Sequence, residues 1–565
     1  MRELLKRLFS RPDLALLLIL AALLSNLLAL APSLFVIQVL NRYLAHGVDA
    51  TLTTLAVGAI VAVLLEMGFR RIRMRMANGF SAHQDERLAL AGYDVLSTAS
   101  VGALTTIPKG RKRNMVLGAD TIRAAYSAAN INAILDLPFA LLFLGVIYLL
   151  SPTLALIAAC IMTLIFLAGI ISGLRLAGPA RQLAGAATHR ERLVAAVVEA
   201  EDTIRSFNTG PFLLQRWRNF VHSSFNQAHD IARRQAKVHA FIQAGSGLMT
   251  ISIIGVGATL VVSGELDVGV LIGANILAAK AMGPISRFAL MHEQLSKAAQ
   301  AMKTYTEFSH MPMERQSGTA LKQYQGSITL QDLAFSHPGN NTPLFESVNL
   351  RLNPGMVLAV NGSNGSGKTT LARLLVGLLQ PTRGHILADG VDLRQLAAPW
   401  WREQLIYLPQ EPKFIAGSIR DNLLLGHEDI NDDTINKALE TAGLKTFLDQ
   451  KPNGLDTNIS ETGQQLSLGV RRRLALARAL LKNGRLVIFD EPTEGMDIEG
   501  CAMIYRVLNQ MVEEKRTIIL FSHDKNLLKG AHIYLNLSQK PIPGLSVRAA
   551  KKEKKEEKDQ EDESE

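Results

Sequence analysis

A glycine-rich stretch in the second half of the chain is Gly362-Ser363-Asn364-Gly365-Ser366-Gly367-Lys368-Thr369-Thr370. It matches G-x-x-x-x-G-K-[ST], the pattern of a phosphate-binding loop. An apolar run, Met356–Val360, precedes the loop and predicts a buried strand, and Thr370–Leu375 follows it and predicts a helix. This is the strand–loop–helix context that the motif requires. The stretch therefore predicts an α/β domain built around a nucleotide phosphate site.

Each residue type in this loop has a chemical reason to be there. The glycines would let backbone N–H groups close around a β-phosphate, at the positive end of the helix dipole. Lys368 would reach the β- and γ-phosphates, and the Thr369 hydroxyl would bind Mg²⁺. The alternative is a chance Gly/Ser-rich turn, which the flanking strand and helix disfavour.

A strand that ends in acidic residues offers a Mg²⁺ ligand and a general base, which a phosphate loop lacks. Leu486–Asp490 is an apolar run that ends in a carboxylate and is followed at once by Glu491. Asp490 would hold Mg²⁺, directly or through water. Glu491 would orient and deprotonate an attacking water. A strand ending in acids is common by itself, but in the same domain as a phosphate loop it favours nucleotide hydrolysis.

Composition divides the chain into two halves. Hydrophobic residues make up 48% of the 565 residues, and the net charge is +10. Long apolar runs occupy roughly the first three hundred residues, and the remainder has the composition of a soluble α/β domain. The positive charge lies largely beside the apolar runs, where it favours retention of loops in the cytoplasm, so we predict no nucleic-acid partner. The chain has two cysteines, Cys160 and Cys501, which lie in different halves, and we expect no disulfide between them.

Six apolar segments are long enough, or nearly so, to cross a bilayer, which takes about 20 residues each. The predicted spans are Leu14–Val39, Thr53–Met67, Ile131–Leu150, Leu154–Leu174, Ala240–Val262 and Val268–Ile285. The first run lacks a small-residue cleavage pattern, so we interpret it as a retained span rather than a signal peptide. Basic loops alternate with loops poor in Lys and Arg, which predicts that both termini are cytoplasmic.

Two long polar connections join the second span to the third and the fourth to the fifth. Within them Asp85–Ser100 and Thr188–Ile204 have apolar residues at helical spacing. We predict helices that extend the spans into the cytosol, with tips near Pro108–Asp120 and Thr203–Pro211 that touch the nucleotide-binding domain. The alternative is that these helices pack only on each other.

Lys280 lies within the last apolar span, where an ammonium group is costly unless it faces water or a partner. It could line a conduit, or it could extend to the cytoplasmic interface.

The predicted domain boundaries follow these changes of composition. Residues 1–314 form a membrane domain with six spans and long cytoplasmic helices, and residues 315–325 form a polar linker. Residues 326–540 form the nucleotide-binding domain. Residues 541–565 form a tail rich in Lys, Glu and Asp that we predict to be disordered.

The soluble half resembles the ABC ATPase family, since five motifs match in order over roughly Gly326–Leu537. They are the phosphate loop Gly362–Thr369, the glutamine loop Tyr407–Gln410, the signature Leu466–Val470, the acidic segment Asp490–Thr493 with Glu494–Asp497 after it, and the switch histidine His523. The resemblance implies a RecA-like core with a helical subdomain, ATP and Mg²⁺ as cofactors, and ATP hydrolysis.

The resemblance also assigns roles that residue chemistry alone does not. Gln410 would sense Mg²⁺ and the γ-phosphate and relay the nucleotide state to the membrane half. Ser467 and the Gly469 amide would touch the γ-phosphate of a nucleotide held by the opposite subunit, and Asp497 would act across the same seam. His523 would hydrogen-bond the γ-phosphate and Glu491 as an orienting group.

The chain departs from the family pattern at two places. The signature usually reads L-S-G-G-Q, but here Leu468 replaces a glycine and Val470 replaces a polar side chain. Hydrolysis could be slowed, or this chain could pair with a better-equipped one; with Ser467 and Gly469 retained, we favour activity. The aromatic residue that stacks on adenine in relatives is His337 here, and the alternative is that His337 only ends a surface turn.

The membrane half resembles that of an ABC exporter half-transporter, with six spans fused ahead of one ATPase domain. The resemblance implies a second copy of the chain, because each ATP site combines one subunit's phosphate loop with the other's signature. Two segments, Asp136–Phe139 and Gly273–Ala281, are similar to segments of bacterial type I secretion ATPases. This narrower resemblance implies a multi-pass protein of the bacterial inner membrane. Its ATPase domain would lie in the cytoplasm, and a periplasmic adaptor, an outer-membrane channel and a polypeptide substrate would be its partners. No cysteine-protease domain precedes the spans, so we expect no leader cleavage by this chain.

Three other functions stay open on the sequence. The cargo could be a lipid or a hydrophobic small molecule. The chain could be a regulatory subunit that binds ATP without hydrolysing it. It could also be a soluble ABC-type ATPase acting on DNA, which would require the apolar runs to be core helices; six such runs with consistent positive-inside loops disfavour this reading.

Overall fold

The structure is a computed structural model that describes residues 3, 6–7, 9, 11–44, 49–319, 321–340, 342–425, 427, 429–460 and 463–547. It divides into two compact units. The first comprises the residues up to Thr98 together with Ile107–Met311, and the second comprises Ala99–Thr106 together with Pro312 and the residues after it. The predicted tail, Lys551–Glu565, lies outside the described residues.

The first unit is helical throughout its described part. Its helices are α1 (Pro12–Leu28), α2 (Ala31–Gln38), α3 (Asp49–Thr98), α5 (Lys109–Ala125), α6 (Ala128–Leu150), α7 (Pro152–Glu199), α8 (Glu201–Ser206), α9 (Gly210–Val262), α10 (Val268–Leu290) and α11 (His292–Ser309), with a π-helical turn at Val39–Tyr43. The short helix α4 (Val101–Thr105) belongs to the second unit.

Six helical stretches are long and apolar enough to cross a membrane, which confirms the six predicted spans. They are Pro12–Tyr43, Asp49–Thr98, Ala128–Leu150, Pro152–Gly173, Gly210–Val262 and Val268–Leu290. The second and fifth run far beyond the predicted apolar segments, because the amphipathic extensions continue the same helices without a break. Large apolar side chains such as Ile60, Leu64 and Leu141 are exposed on these helices, as a lipid environment allows.

The first span is broken between α1 and α2. Pro32 has no N–H to donate, and the Ser33 amide donates to Leu30 O instead of to Ala29 O. The Lys280 ammonium on α10 donates to Ala29 O at 2.5 Å and so satisfies the carbonyl that the break leaves free. Of the two roles predicted for Lys280, lining a conduit or extending to the interface, neither describes this contact between the first and last spans.

Small residues let α10 approach the first span closely. A Cβ at Gly273 would lie 2.3 Å from the Ile37 side chain, and one at Gly269 would lie 2.2 Å from Asn41 Oδ1. The Gly269 amide donates to that oxygen at 2.9 Å. Close backbone approach at small residues is a common basis of helix association in lipid. The segment Gly273–Ala281 therefore packs against the first span.

The second unit is built on two sheets. Its strands are β1 (Ile328–Phe335), β2 (Phe345–Leu352), β3 (Val357–Asn361), β4 (Arg383–Ala388), β5 (Val391–Asp392), β6 (Leu405–Leu408), β7 (Gly417–Ser418), β8 (Asn458–Ile459), β9 (Leu486–Asp490), β10 (Thr517–Phe521), β11 (Ile533–Asn536) and β12 (Gly544–Val547). One sheet has six strands in the order β12-β11-β3-β10-β9-β6, and it is parallel except for β12. An antiparallel sheet has the order β2-β1-β4-β5, and β7 pairs with β8.

Helices accompany these sheets in the order expected of a nucleotide-binding α/β domain. They are α12 (Lys368–Leu375), α13 (Ala398–Glu403), α14 (Ile419–Leu424), α15 (Asp432–Thr441), α16 (Lys445–Asp449), α17 (Leu468–Leu480), α18 (Ile498–Glu513) and α19 (Lys525–Leu528). Helices α14, α15 and α17 form a helical subdomain and share one apolar core with one face of the parallel sheet. The opposite face packs on α12 and the antiparallel sheet.

Two segments predicted to be a linker and a tail contain residues that pack or pair with the soluble half. Tyr324, inside the predicted polar linker, is 1% exposed and packs edge-on against Trp401 at a ring distance of 5.2 Å. Gly544–Val547, inside the tail predicted from residue 541, forms the edge strand β12 on β11. Composition suggested loose chain in both places, but one buried aromatic ring packs at Tyr324, and backbone pairing with β11 forms the strand at Gly544–Val547.

Candidate functional site

The predicted site residues gather at the carboxyl ends of four neighbouring parallel strands, β3, β10, β9 and β6. The phosphate loop follows β3, His523 follows β10, Asp490 ends β9, and Gln410 comes two residues after β6. The backbone register places Phe521 beside both Val360 and Asp490. Strand ends that meet at one edge of a parallel sheet form the usual crevice for a ligand.

The phosphate loop leads directly into α12. Gly367 has φ 110° and lies against Leu344, where an added Cβ would come within 2.8 Å of Cδ2. A side chain there would be strained and would clash, so the loop needs this glycine. Ser366 is buried, and its hydroxyl has no partner among the described residues. The buried Ser366 hydroxyl therefore stays available to a ligand of the loop.

Lys368 is the first residue of α12, and its ammonium lies among three polar groups. The Nζ atom donates to Gly362 O at 2.7 Å and lies 2.5 Å from His523 Nε2. It forms an ion pair with Glu491 Oε1 at 3.2 Å, and Lys368 as a whole is only 8% exposed. The structure thus brings Lys368, Glu491 and His523 together, as the sequence predicts.

Glu491 has an uncommon backbone conformation. Its φ is 48°, in the left-handed region, which costs about 1–2 kcal/mol for a residue with a side chain. Its amide donates to Phe521 O at 2.8 Å. Its carboxylate accepts the His523 amide at 3.4 Å and lies 3.5 Å from His523 Nε2. The strand end therefore holds the carboxylate between Lys368 and His523.

Asp490 is 1% exposed, and neither of its carboxylate oxygens has a hydrogen-bond partner in the part of the chain that the structure describes. Burial raises the pKa of Asp490 to about 6. Nearby, the Thr369 hydroxyl donates to Gln410 Oε1 at 3.1 Å. A hydroxyl, an amide oxygen and an orphaned buried carboxylate are the oxygen donors that Mg²⁺ prefers. These three residues fit such an ion.

The signature segment opens helix α17. Ser467 is its N-cap and accepts the Val470 amide at 3.3 Å. Leu468 is 42% exposed and packs on Gly495, whose added Cβ would lie 2.8 Å from Leu468 Cδ2. Gly469 faces open space, since a Cβ there would meet no atom within 4 Å. Val470 packs on the core of the domain.

Asp497 caps helix α18 by accepting the Gly500 amide at 2.8 Å. It also pairs with Arg473 of the signature helix at 2.9 Å. The Gly500 amide first, and Arg473 next, hold the pKa of Asp497 below its usual range. Asp497 and the signature helix therefore present one connected surface.

His337 is exposed at the end of β1, with its ring edge-on to Phe335 at 5.1 Å. The Leu344 amide donates to Phe335 O at 2.7 Å, and Leu344 in turn contacts Gly367. His337 thus lies on a turn that returns to the phosphate loop. Its stacking on adenine stays a prediction.

Three further charged residues at the site, Arg472, Glu494 and Lys540, have contacts that the sequence did not predict. Arg472 and Glu494 form an ion pair beside Gln410, at 3.2 Å. Lys540 donates to Ser366 O at 2.7 Å and to Leu344 O, and so braces the phosphate loop from the end of the domain. The signals in the sequence were an arginine on an otherwise apolar helix face and a lysine just before Pro541.

Comparisons with known proteins match both halves of the chain. A profile described as "ABC transporter" matches residues 345–494, and one described as "ABC transporter transmembrane region" matches residues 15–285. Together they span all six candidate membrane helices or parts of them, the phosphate loop and the acidic strand.

Relatives are found among toxin translocators. Alpha-hemolysin translocation ATP-binding protein HlyB of Escherichia coli O157:H7 is 28% identical over 89% of this chain and 72% of its own length. The toxin RTX-I translocation ATP-binding protein of Actinobacillus pleuropneumoniae is 27% identical over 90% of this chain and 72% of its own. The leukotoxin translocation ATP-binding protein LktB of Mannheimia haemolytica is 27% identical over the same shares.

The fold also matches a solved structure, a bacterial Atm1-family ABC exporter with ATP bound. The TM-score is 0.82, the identity is 18%, and the match covers 95% of both chains. At that identity the match shows the fold. With the two matched profiles and the assembled site, it follows that this chain belongs to the ABC transporter family, as an exporter half-transporter whose multi-pass membrane region is fused to an ATP-hydrolysing domain.

Proposed function

We propose that this chain is the inner-membrane ATPase and permease of a type I secretion system and moves a polypeptide out of the cytoplasm. The observation that carries the proposal is the similarity, over about nine tenths of the chain, to proteins named for the translocation of hemolysin, RTX toxin and leukotoxin. A periplasmic adaptor and an outer-membrane channel would be its partners.

A polar cavity in the membrane unit supports a hydrophilic cargo. It has a volume of about 630 Å³ and lies among helices α1, α3, α6, α10 and α11. Its lining includes Arg70, Arg73, Asn132, Asp136 and Arg287. A site for a lipid or a hydrophobic small molecule would be lined mainly by apolar and aromatic side chains. Peptide groups and charged side chains suit this lining better.

Hydrogen bonds and an ion pair join the side chains of the cavity wall. Arg73 is 5% exposed and pairs with Asp136 at 2.8 Å, with a further bond to Asn132 Oδ1 at 3.0 Å. Asn26 also donates to Asp136, at 3.0 Å. Buried charges in the helical region of a membrane protein are costly unless paired, and they commonly mark a pathway. Asp136 opens the segment Asp136–Phe139 that resembles secretion ATPases.

The site residues would act on ATP as follows. Lys368 and the loop amides would bind the β- and γ-phosphates. Thr369, Asp490 and Gln410 would hold Mg²⁺, which when bound neutralises charge on the phosphate oxygens. Glu491 would take a proton from the attacking water, and His523 would orient Glu491 and the γ-phosphate. Each of these groups lies at the same sheet edge in the structure.

A second copy of the chain would complete the site. Gly469 and Ser467 open outward from the helical subdomain, and in the proposal they contact nucleotide bound to the other copy's phosphate loop. Two ATP molecules would clamp the soluble domains together, and hydrolysis would release them. The clamp would move the cytoplasmic helices and open the spans outward.

The test is ATPase activity and transport with the full chain in inside-out proteoliposomes. The substrates are polypeptides encoded beside its gene in one arm and a fluorescent phospholipid in the other. We expect a polypeptide to stimulate hydrolysis and to become protected from added protease in an ATP-dependent manner. Lys368→Ala should abolish both effects, and Lys445→Ala, an exposed lysine of the same domain, should not. Stimulation and transport by the phospholipid alone would overturn the proposed cargo.

A further inference from the structure

An ion pair between Arg472 and Glu494 lies directly behind Glu491. Arg472 is on the second turn of the signature helix α17 and is 5% exposed. Its Nη2 atom lies 3.2 Å from Glu494 Oε2 and also donates to Gln410 O at 3.3 Å. Its Nη1 atom donates to Glu491 O at 3.2 Å. One guanidinium thus joins the signature helix, the glutamine loop and the acidic strand end.

The hydrogen bond from Arg472 is made to Glu491, the residue whose backbone is strained at φ 48°. Left-handed backbone at a residue with a side chain persists where its surroundings hold it. The Glu491 amide is fixed by Phe521 O, and its carbonyl is fixed by Arg472. A planar guanidinium can serve a carbonyl and a carboxylate together, which an ammonium on a flexible stem does less well.

Glu494 extends the same connection to the phosphate loop. Its Oε2 atom accepts from Gln410 Nε2 at 3.1 Å, and Gln410 Oε1 accepts from the Thr369 hydroxyl at 3.1 Å. The Glu494 carboxylate thus takes the Gln410 amide nitrogen and leaves the Gln410 amide oxygen facing Thr369.

We propose that Arg472 and Glu494 are positioning residues for ATP hydrolysis. Arg472 holds the backbone that aims the Glu491 carboxylate, and Glu494 fixes the direction of the Gln410 amide. Because Arg472 stands on the signature helix, any movement of that helix is transmitted to both Glu491 and Gln410. This inference rests on the catalytic role proposed above for Glu491.

The experiment compares the kinetics of single variants of the full-length protein in lipid. Arg472→Met removes three hydrogen bonds, and we expect kcat to fall roughly tenfold to a hundredfold. The KM for ATP should change by less than about twofold, because neither residue is part of the phosphate loop that binds the nucleotide. Arg472→Lys should recover part of kcat. Glu494→Gln keeps an oxygen for Gln410 but loses the charge, and its loss of kcat should be smaller.

Two comparisons separate positioning from general stability. Arg420 forms an exposed pair with Asp432 at 2.8 Å, so Arg420→Met is a matched loss of an arginine ion pair in the same domain and should retain wild-type kcat. The double variant Arg472→Met with Glu494→Gln should be no slower than Arg472→Met alone, since residues that act as a unit are not additive. Amide hydrogen exchange of the peptide that contains Glu491–Met496 should be faster in Arg472→Met.

The inference is overturned if Arg472→Met turns over at the wild-type rate, or if its kcat loss comes with unchanged exchange in that peptide. It is also overturned if KM rises in proportion to the fall in kcat. A Glu491→Gln control distinguishes failure of the proposed role of Glu491 from failure of the roles proposed for Arg472 and Glu494. If Glu491→Gln is fully active, both the proposed role of Glu491 and this inference are wrong. If Glu491→Gln is inactive but Arg472→Met has wild-type activity, only this inference is wrong.

Discussion

Lys368, Glu491 and His523 contact one another beside the phosphate loop. The Lys368 ammonium is 3.2 Å from the Glu491 carboxylate and 2.5 Å from the His523 ring. A γ-phosphate would compete for the same ammonium and would carry more negative charge than a carboxylate. Nucleotide binding would therefore release Glu491 from Lys368 and leave it available to a water molecule.

Replacing Glu491 by Gln should remove the base and retain the nucleotide. The amide cannot accept the proton of the attacking water, so we expect turnover to fall at least about a hundredfold. ATP affinity should remain or increase, because the carboxylate no longer competes for Lys368. Phosphate release and retention of radiolabelled ATP measure the two effects. Glu440→Gln, on the exposed face of α15, is the control, and turnover of Glu491→Gln at the control rate would assign the base elsewhere.

Leu468, which replaces a glycine of the usual signature, is the departure from the family pattern that is simplest to test. It is 42% exposed at the start of the signature helix, on the surface that a second copy would approach. Glycine there would allow closer approach of the backbone to a phosphate held opposite. We expect Leu468→Gly to raise ATPase activity severalfold, with Leu468→Ala between it and wild type. If neither variant is faster, the leucine is tolerated at the seam.

Single residues were predictable where a motif fixes both residue type and spacing. The phosphate loop, Asp490, Glu491 and His523 meet at one sheet edge, because motif spacing also fixes the strands that carry them. The partner of Lys280 was not predictable, since the contact depends on a helix break about 250 residues earlier. The pairing of Arg472 with Glu494 was not predictable, because it depends on which turn of α17 faces the acidic strand.

The helix break at Ala29 and the lysine that caps it form one structural device. Ala29 O accepts from Lys280, and we expect the loss of that bond in Lys280→Met to destabilise the membrane unit. An unsatisfied buried carbonyl costs about 1–3 kcal/mol. Thermal unfolding of the protein in detergent should start at a lower temperature.

Lys303→Met provides the matched control, because Lys303 is exposed on α11. Lys280→Arg should recover part of the loss, since a guanidinium can still donate to the carbonyl. Equal stability of Lys280→Met and wild type would show that the break is satisfied in another way.

Helices and strands were predictable in kind but not always in extent. The apolar lengths predicted six spans, and the helical spacing within Asp85–Ser100 predicted the extension of the second span. In the structure α3 continues as one helix to Thr98. The edge strand Gly544–Val547 was missed because a short strand is defined by the neighbour that it pairs with. Tyr324 was missed for a similar reason, since one buried aromatic ring does not change the polar composition around it.

The proposed two-copy site makes a prediction about the assembled protein. Cysteine placed by Ser363→Cys in one copy and by Gly469→Cys in the other should cross-link between chains when ATP is bound. The background for this test is Cys160→Ala with Cys501→Ser, because both natural cysteines are free. Mixed dimers of two differently tagged chains, separated on a denaturing gel, measure the result. Cross-linking that does not depend on ATP, or none at all, would contradict the shared site.

The soluble unit is not a contiguous piece of the chain. Helix α4 and its neighbours, Ala99–Thr106, belong to it, and the Ser100 amide donates to Pro312 O at 2.9 Å. This segment also walls a cavity of about 890 Å³ together with Leu379, Thr382 and other residues of the ATPase domain. A recombinant fragment that starts at residue 312 would thus lack residues 99–106, and the apolar side of this cavity would be open to water. Supplying residues 99–106 as a separate synthetic peptide should protect such a fragment from aggregation.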